Sequence, residues 1–96
     1  MSETFSGRAD ILDPNGMLVD VGKAILERRD PETGETWGGV IRLYKHAALS
    51  TKTMEAILVL ENGQRADALV GPQVGDIVEG ELIEIKVTPM QGEVPF

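Results

Sequence analysis

Ninety-six residues, 42% hydrophobic but only 4% aromatic, describe one domain with a modest aliphatic core. The absence of cysteine excludes disulfides, thiolate metal ligands and a cysteine nucleophile. A net charge of −7 counts against generic affinity for nucleic acid or an anionic membrane.

Turn chemistry divides the chain. Asp13-Pro14-Asn15-Gly16, Asp30-Pro31-Glu32-Thr33-Gly34 and Glu61-Asn62-Gly63-Gln64 each stand between runs rich in Val, Ile and Leu. Gly and Asn accept positive φ, and Pro fixes φ at a turn entry. With a fourth break at Val70–Asp76, these turns predict strands over residues 5–12, 17–29, 37–46, 54–61, 64–70 and 76–87. The expected fold is all-β, a small antiparallel barrel-like or strongly coiled sheet of five to six strands. Residues 1–88 form the single domain and residues 89–96 a flexible C-terminal tail. Met1–Arg8 lacks the apolar centre of a signal peptide, and no apolar run approaches the ~18 residues of a membrane span. A soluble cytoplasmic protein is expected.

The first strand alternates, with Phe5, Gly7, Ala9 and Ile11 on one side. In the second, Met17, Val19 and Val21 share a face, and the apolar set moves to Ala24 and Leu26 after Gly22. A phase change at a glycine is the mark of a β-bulge. The last strand repeats it, from Val78, Gly80 and Leu82 to Ile83, Ile85 and Val87. Bulged, bent strands let a small sheet curl and hide its edges.

The third strand pairs with the second if the loop is centred between Glu32 and Thr33. That places Asp20 opposite Lys45 and Lys23 opposite Arg42, a like-charge approach that needs an anion or acidic residue nearby. Trp37 shares the parity of Ile41 and Leu43 and is expected in the core. Gly38-Gly39 reads as bare backbone where Trp37 or a neighbouring strand packs closely. Residues 23–52 carry +2, against −3 for residues 1–22 and −6 for residues 53–96. Lys23, Arg28, Arg42, Tyr44 and Lys45 are therefore the candidate anion-binding set. Cations can hold phosphates and a ring can stack a base, although Tyr44 is the one plausible stacking ring.

The fourth strand is apolar on both sides. Centring its turn on Asn62-Gly63 pairs Val59 with Ala66 and Leu58 with Asp67. Ile57, Val59, Ala66, Ala68 and Val70 then form a core face. Met54, Ala56, Leu58, Leu60 and Leu69 form a second row that something must cover. The cover is either the connection 46–53, which accepts one short helical turn, a terminal segment, or another protein. These five residues are the candidate partner-binding surface.

Motifs for catalysis are absent. His46 is the lone histidine and has no nucleophile or orienting acid beside it. Asp10, Asp13 and Asn15 lack the spacing of a calcium loop, and Asp13 is expected to close its own turn by accepting from a backbone N–H two residues on. Glu79, Glu81 and Glu84 read as a solvated strand face. Pro72-Gln73-Val74-Gly75-Asp76-Ile77-Val78-Glu79-Gly80 resembles the Val-Gly-Asp-x-Val-x-Gly entry of many small barrels, oligonucleotide-binding ones among them. The resemblance implies a turn that feeds a bent strand. No cofactor and no metal are expected. The expected role is a non-catalytic binding or adaptor module that works by protein–protein contact, including self-association. The alternative is a small-ligand or single-stranded nucleic-acid binder using the basic second hairpin.

Overall fold

The structure, a computed structural model, describes residues 4–29, 32, 36–44, 51–75, 82–90 and 93–96. Six strands carry the fold: β1 (Thr4–Leu12), β2 (Leu18–Arg28), β3 (Trp37–Tyr44), β4 (Met54–Leu60), β5 (Arg65–Gln73) and β6 (Leu82–Pro89). All pairings are antiparallel, and the ring closes in the order β1-β2-β3-β6-β5-β4, with β4 returning to β1. The all-β barrel expected from the turn spacing is the fold observed.

Side-chain alternation fills the barrel. Ala9, Ile11, Ala24, Leu26, Ile41, Leu43, Ile83, Ile85 and Val87 point inward and are buried, and Trp37 joins them with no exposed surface. Small residues line β4 and β5, where Ala56, Ala66 and Ala68 face the bulkier Leu and Ile side chains of the interior. A six-stranded ring has a narrow lumen, so alternating small and large residues are what fit it.

The first and third turns close in the same way. Asp13 Oδ1 accepts from the N–H groups of Asn15 and Met17, each at 2.9 Å. Asn62 Oδ1 accepts from the Gln64 N–H at 2.8 Å. Gly16 and Gly63 both sit at φ 89°, where a Cβ is disfavoured. The Asp13 reading from sequence therefore holds.

The second of these turns corrects the sequence reading of β4. The Leu60 N–H donates to the Gln64 carbonyl, so the loop is the three residues Glu61-Asn62-Gly63 and not Asn62-Gly63 alone. Leu58 then pairs with Ala66, and Ile57 with Asp67. A one-residue slip of register moves every side chain of a strand to the opposite face. Ala56, Leu58 and Leu60 consequently lie in the core, while Ile57 and Val59, expected there, face outward and are half-buried.

The bends also sit elsewhere than expected. The β1–β2 register shifts where Ile11 pairs with Asp20 and Leu12 with Leu18, so the irregularity precedes Gly22. Gly22 keeps regular register with Ala9, and its missing side chain serves a different purpose. A Cβ there would come within 2.7 Å of the Arg42 carbonyl oxygen. In the last hairpin the shift lies between Val70 and Gln73 of β5, at Gly71 (φ 92°) and a cis Gly71–Pro72 bond. Residues 76–81, where a phase change in the last strand was expected, are outside the described residues, and β6 itself alternates regularly.

One mouth of the barrel is filled by aromatic rings. The chain returns after β6, and Phe96 packs against Phe5 at 6.2 Å and edge-on against Trp37 at 6.4 Å and 88°. The Asn62 side-chain amide donates to the Pro95 carbonyl at 3.2 Å and pins this segment to the β4–β5 loop. The other mouth is where β1 turns into β2 and where β3 ends at Tyr44.

Candidate functional site on the outer wall

The register that places Lys23 opposite Arg42 also places Ile25 opposite Val40. Extending it through the neighbouring ladders gives two outward rows across β1, β2, β3 and β6. The first is Ser6–Ile25–Val40–Lys86 and the second Arg8–Lys23–Arg42–Glu84. The first row is the floor of an open groove of about 760 Å³. Val74, which follows β5, joins Phe5 and Leu26 in the rest of its apolar lining, and Glu27 and Arg29 add charge to that of Lys86.

Two glycines make the groove possible. Gly39 sits at φ 152°, and a Cβ there would collide with the Ile25 carbonyl oxygen and approach the Leu26 Cα to 2.9 Å. The close strand packing expected at Gly38-Gly39 is thus present. The outward side of Gly38 is occupied by the Arg29 guanidinium, which a Cβ would meet at 2.7 Å. Arg29 Nε is in turn 3.4 Å from the Glu27 carboxylate. The bare β3 backbone lets Arg29 lie flat and leaves Ile25 and Val40 uncovered.

Charges along the second row are partly satisfied within the protein. Arg8 pairs with Asp10 at 3.2 Å, and Arg42 with Glu84 at 3.1 Å. Lys23 and Lys86 have no hydrogen-bond or ion-pair partner among the described residues.

The sequence-derived residues are distributed as follows. Ala56, Leu58 and Leu60 are interior, and Met54 packs against the core. Leu69 is half-buried and faces outward beside Glu55. Of the apolar row expected as a partner surface, Ala56, Leu58 and Leu60 are therefore covered within the chain, because the barrel closes over them, and Leu69 alone of the five faces outward. Of the anion-binding set, Lys23 and Arg42 stand side by side, and Tyr44 continues the outward stripe of β3 with 73% of its surface exposed. Arg28 pairs with Trp37 and shares its inward side, with Nη2 buried and unpartnered. It belongs to the opposite end of the barrel from Tyr44. Lys45, His46 and the greater part of the 46–53 connection lie outside the described residues, and with them the Asp20–Lys45 pair.

Ile25, Val40, Val74 and Lys86 were missed from sequence. The signal was present in part: if Ala24 and Leu26 are core, Ile25 points to water, and the hairpin register puts Val40 next to it. Val74 follows a bulge and had no legible partner.

Among the described residues, no group of three or more His, Cys, Asp or Glu is placed to hold a metal ion. No helix among them is long and apolar enough to cross a membrane. Comparison with family models, with curated proteins and with solved structures finds no match for the chain.

Proposed function

We propose that this chain is a non-catalytic binding module that works by protein–protein contact, and that its groove takes an extended protein segment carrying aliphatic and acidic side chains. The observation that carries this reading is the strip of exposed Ile25 and Val74 and half-buried Val40 set beside the unpartnered ammonium of Lys86. The closed ladder offers little free strand edge, so recognition falls to side chains more than to strand addition. Three part-exposed aliphatic residues supply only a few kcal/mol before ordering costs, so the contact is weak and reversible. The test is an amide chemical-shift titration with a synthetic peptide of alternating Val and Glu. Shifts confined to Ile25, Val40 and Lys86, abolished by Val40→Glu, support the reading. A groove that stays silent at millimolar peptide sinks it.

A second reading is favoured by one observation, the exposure of Tyr44 on the same stripe as Arg42. A ring beside cations suits a single-stranded nucleic acid. It predicts binding of an oligothymidylate that weakens steeply with salt and is lost in Tyr44→Ala. The overall acidity and the Arg42–Glu84 pair weigh against it.

A further inference from the structure

We propose that the segment the groove takes is a second copy of this chain, seated head to tail, with the β2–β3–β6 wall of one copy on the β4–β5 wall of the next. This rests on reading the groove as a protein-docking surface and names the protein that docks.

Ring order sets the two walls apart. In β1-β2-β3-β6-β5-β4, strands β2 and β3 lie three places from β5 and β4, so the walls face opposite directions. Their outward residues are complementary. The β4–β5 wall presents Ile57 paired with Asp67 and Glu55 paired with Leu69. Neither Glu55 nor Asp67 has a side-chain partner among the described residues, and Lys23 and Lys86 on the groove wall have none either. Each wall thus joins half-covered aliphatic residues to unpaired charge: two lysines on the groove wall, and on the other two carboxylates with a single cation, Arg65, opposite Val59 toward the β4–β5 loop.

The acidic wall also has a socket. A hollow of about 210 Å³ lies between Pro14, Ile57 and Met90 with Glu55 and Asp67 at its lining. A lysine stem runs along apolar surface while its ammonium stays with polar groups, so this lining suits Lys86 of a neighbouring copy. Two-fold pairing of groove on groove would set lysines against lysines. Pairing of acidic wall on acidic wall would set carboxylates against carboxylates. The unlike pairing alone sets the unpaired lysines of the groove against the unpaired carboxylates Glu55 and Asp67, since Glu27 of the groove is held by Arg29, and unlike faces on opposite sides of a subunit make a contact that repeats and does not close at two.

Sedimentation velocity from micromolar to millimolar protein tests this. The expected result is growth beyond the dimer with concentration. Lys86→Glu and Asp67→Lys, both at exposed outward positions, each weaken association tenfold or more, and an equimolar mixture of the two variants restores it. Should either reversal fail to fold by circular dichroism, Lys86→Gln and Asp67→Asn serve, with loss of association as the readout. A chain that stays monomeric throughout overturns the proposal, as does a dimer that survives Asp67→Lys. If the monomer's groove still responds to the Val-Glu peptide, docking stands and self-docking alone is wrong; a silent groove removes both.

Discussion

Arg42 reaches across the β3–β6 ladder to Glu84, with Nη2 3.1 Å from Oε2, and on its other side stands directly opposite Lys23. The carboxylate is what makes the Lys23–Arg42 neighbourhood tolerable. Two cations facing across an antiparallel pair repel, and an acid on the next strand converts the row into an alternating one. The side chains of Arg42 and Glu84 remain 34% and 25% exposed, so water screens the pair and its worth is modest.

Replacing Glu84 with Gln should therefore lower stability by about 1 kcal/mol, more than an isolated surface pair is worth, because repulsion from Lys23 is left unopposed. Adding Lys23→Gln to that variant should recover part of the loss. Urea unfolding of the four proteins in the cycle reads the coupling, and raising the salt should shrink it. Equal losses with and without Lys23 would show that the two cations do not feel one another.

Leu58 and Val59 are neighbours in sequence with opposite fates. Leu58 has no exposed surface, whereas Val59 faces outward and is half-buried. Leu58→Ala should cost about 2–5 kcal/mol, the range for emptying a closed core site, and Leu58→Glu should prevent folding. Val59→Thr should change stability by less than about 1 kcal/mol. Thermal unfolding of the three variants distinguishes this register from the one in which the two residues exchange faces.

That pair also shows how much of the architecture the sequence carried. Strand number, the antiparallel order at the hairpins, the core role of Trp37 and the Lys23–Arg42 register were legible because turn residues and alternation encode them directly. The facing of β4 was not. Every residue from Ala56 to Leu60 is aliphatic, so alternation gives no preference, and facing depends on whether the loop has two residues or three. Asn-Gly serves both: in the three-residue form Gly63 alone takes positive φ. The groove was illegible for another reason. Its lining comes from β1, β2, β3, β6 and the residue after the β5 bulge, which only ring closure brings together.

Phe96 should matter to stability although it lies beyond the last strand. Its ring meets Trp37 edge-on and Phe5 at a tilt, and Pro95 beside it is buried. Phe96→Ala should cost about 1–3 kcal/mol, the sum of lost burial and lost ring contacts. The Trp37 indole N–H is buried without a partner, so opening this mouth admits water to it. A red shift of tryptophan emission in the folded variant checks the point, and Trp37 is the only tryptophan to report. Unchanged emission with unchanged stability would mean that the segment does not rest on the barrel mouth in solution.

Gly39 and Gly63 both have positive φ but should respond very differently to alanine. At Gly63 nothing lies within 4 Å of an added Cβ, so the cost of Gly63→Ala is that of φ 89° alone, about 1 kcal/mol. Gly63→Asn should be milder still, because Asn tolerates the left-handed region. At Gly39 an added Cβ runs into the Ile25 carbonyl and the Leu26 Cα, which are backbone atoms and cannot rotate away. Gly39→Ala must separate β2 from β3 at the base of the groove, breaking the ladder that holds Ile25 against Val40. The expected loss is several times that at Gly63, about 3 kcal/mol or more, together with loss of peptide binding in any fraction that folds. Measuring both variants by denaturant unfolding separates conformational strain, which they share, from strand contact, which belongs to Gly39. Similar losses at the two positions would show that the strands are not in close contact there, and the groove floor would have to be redrawn.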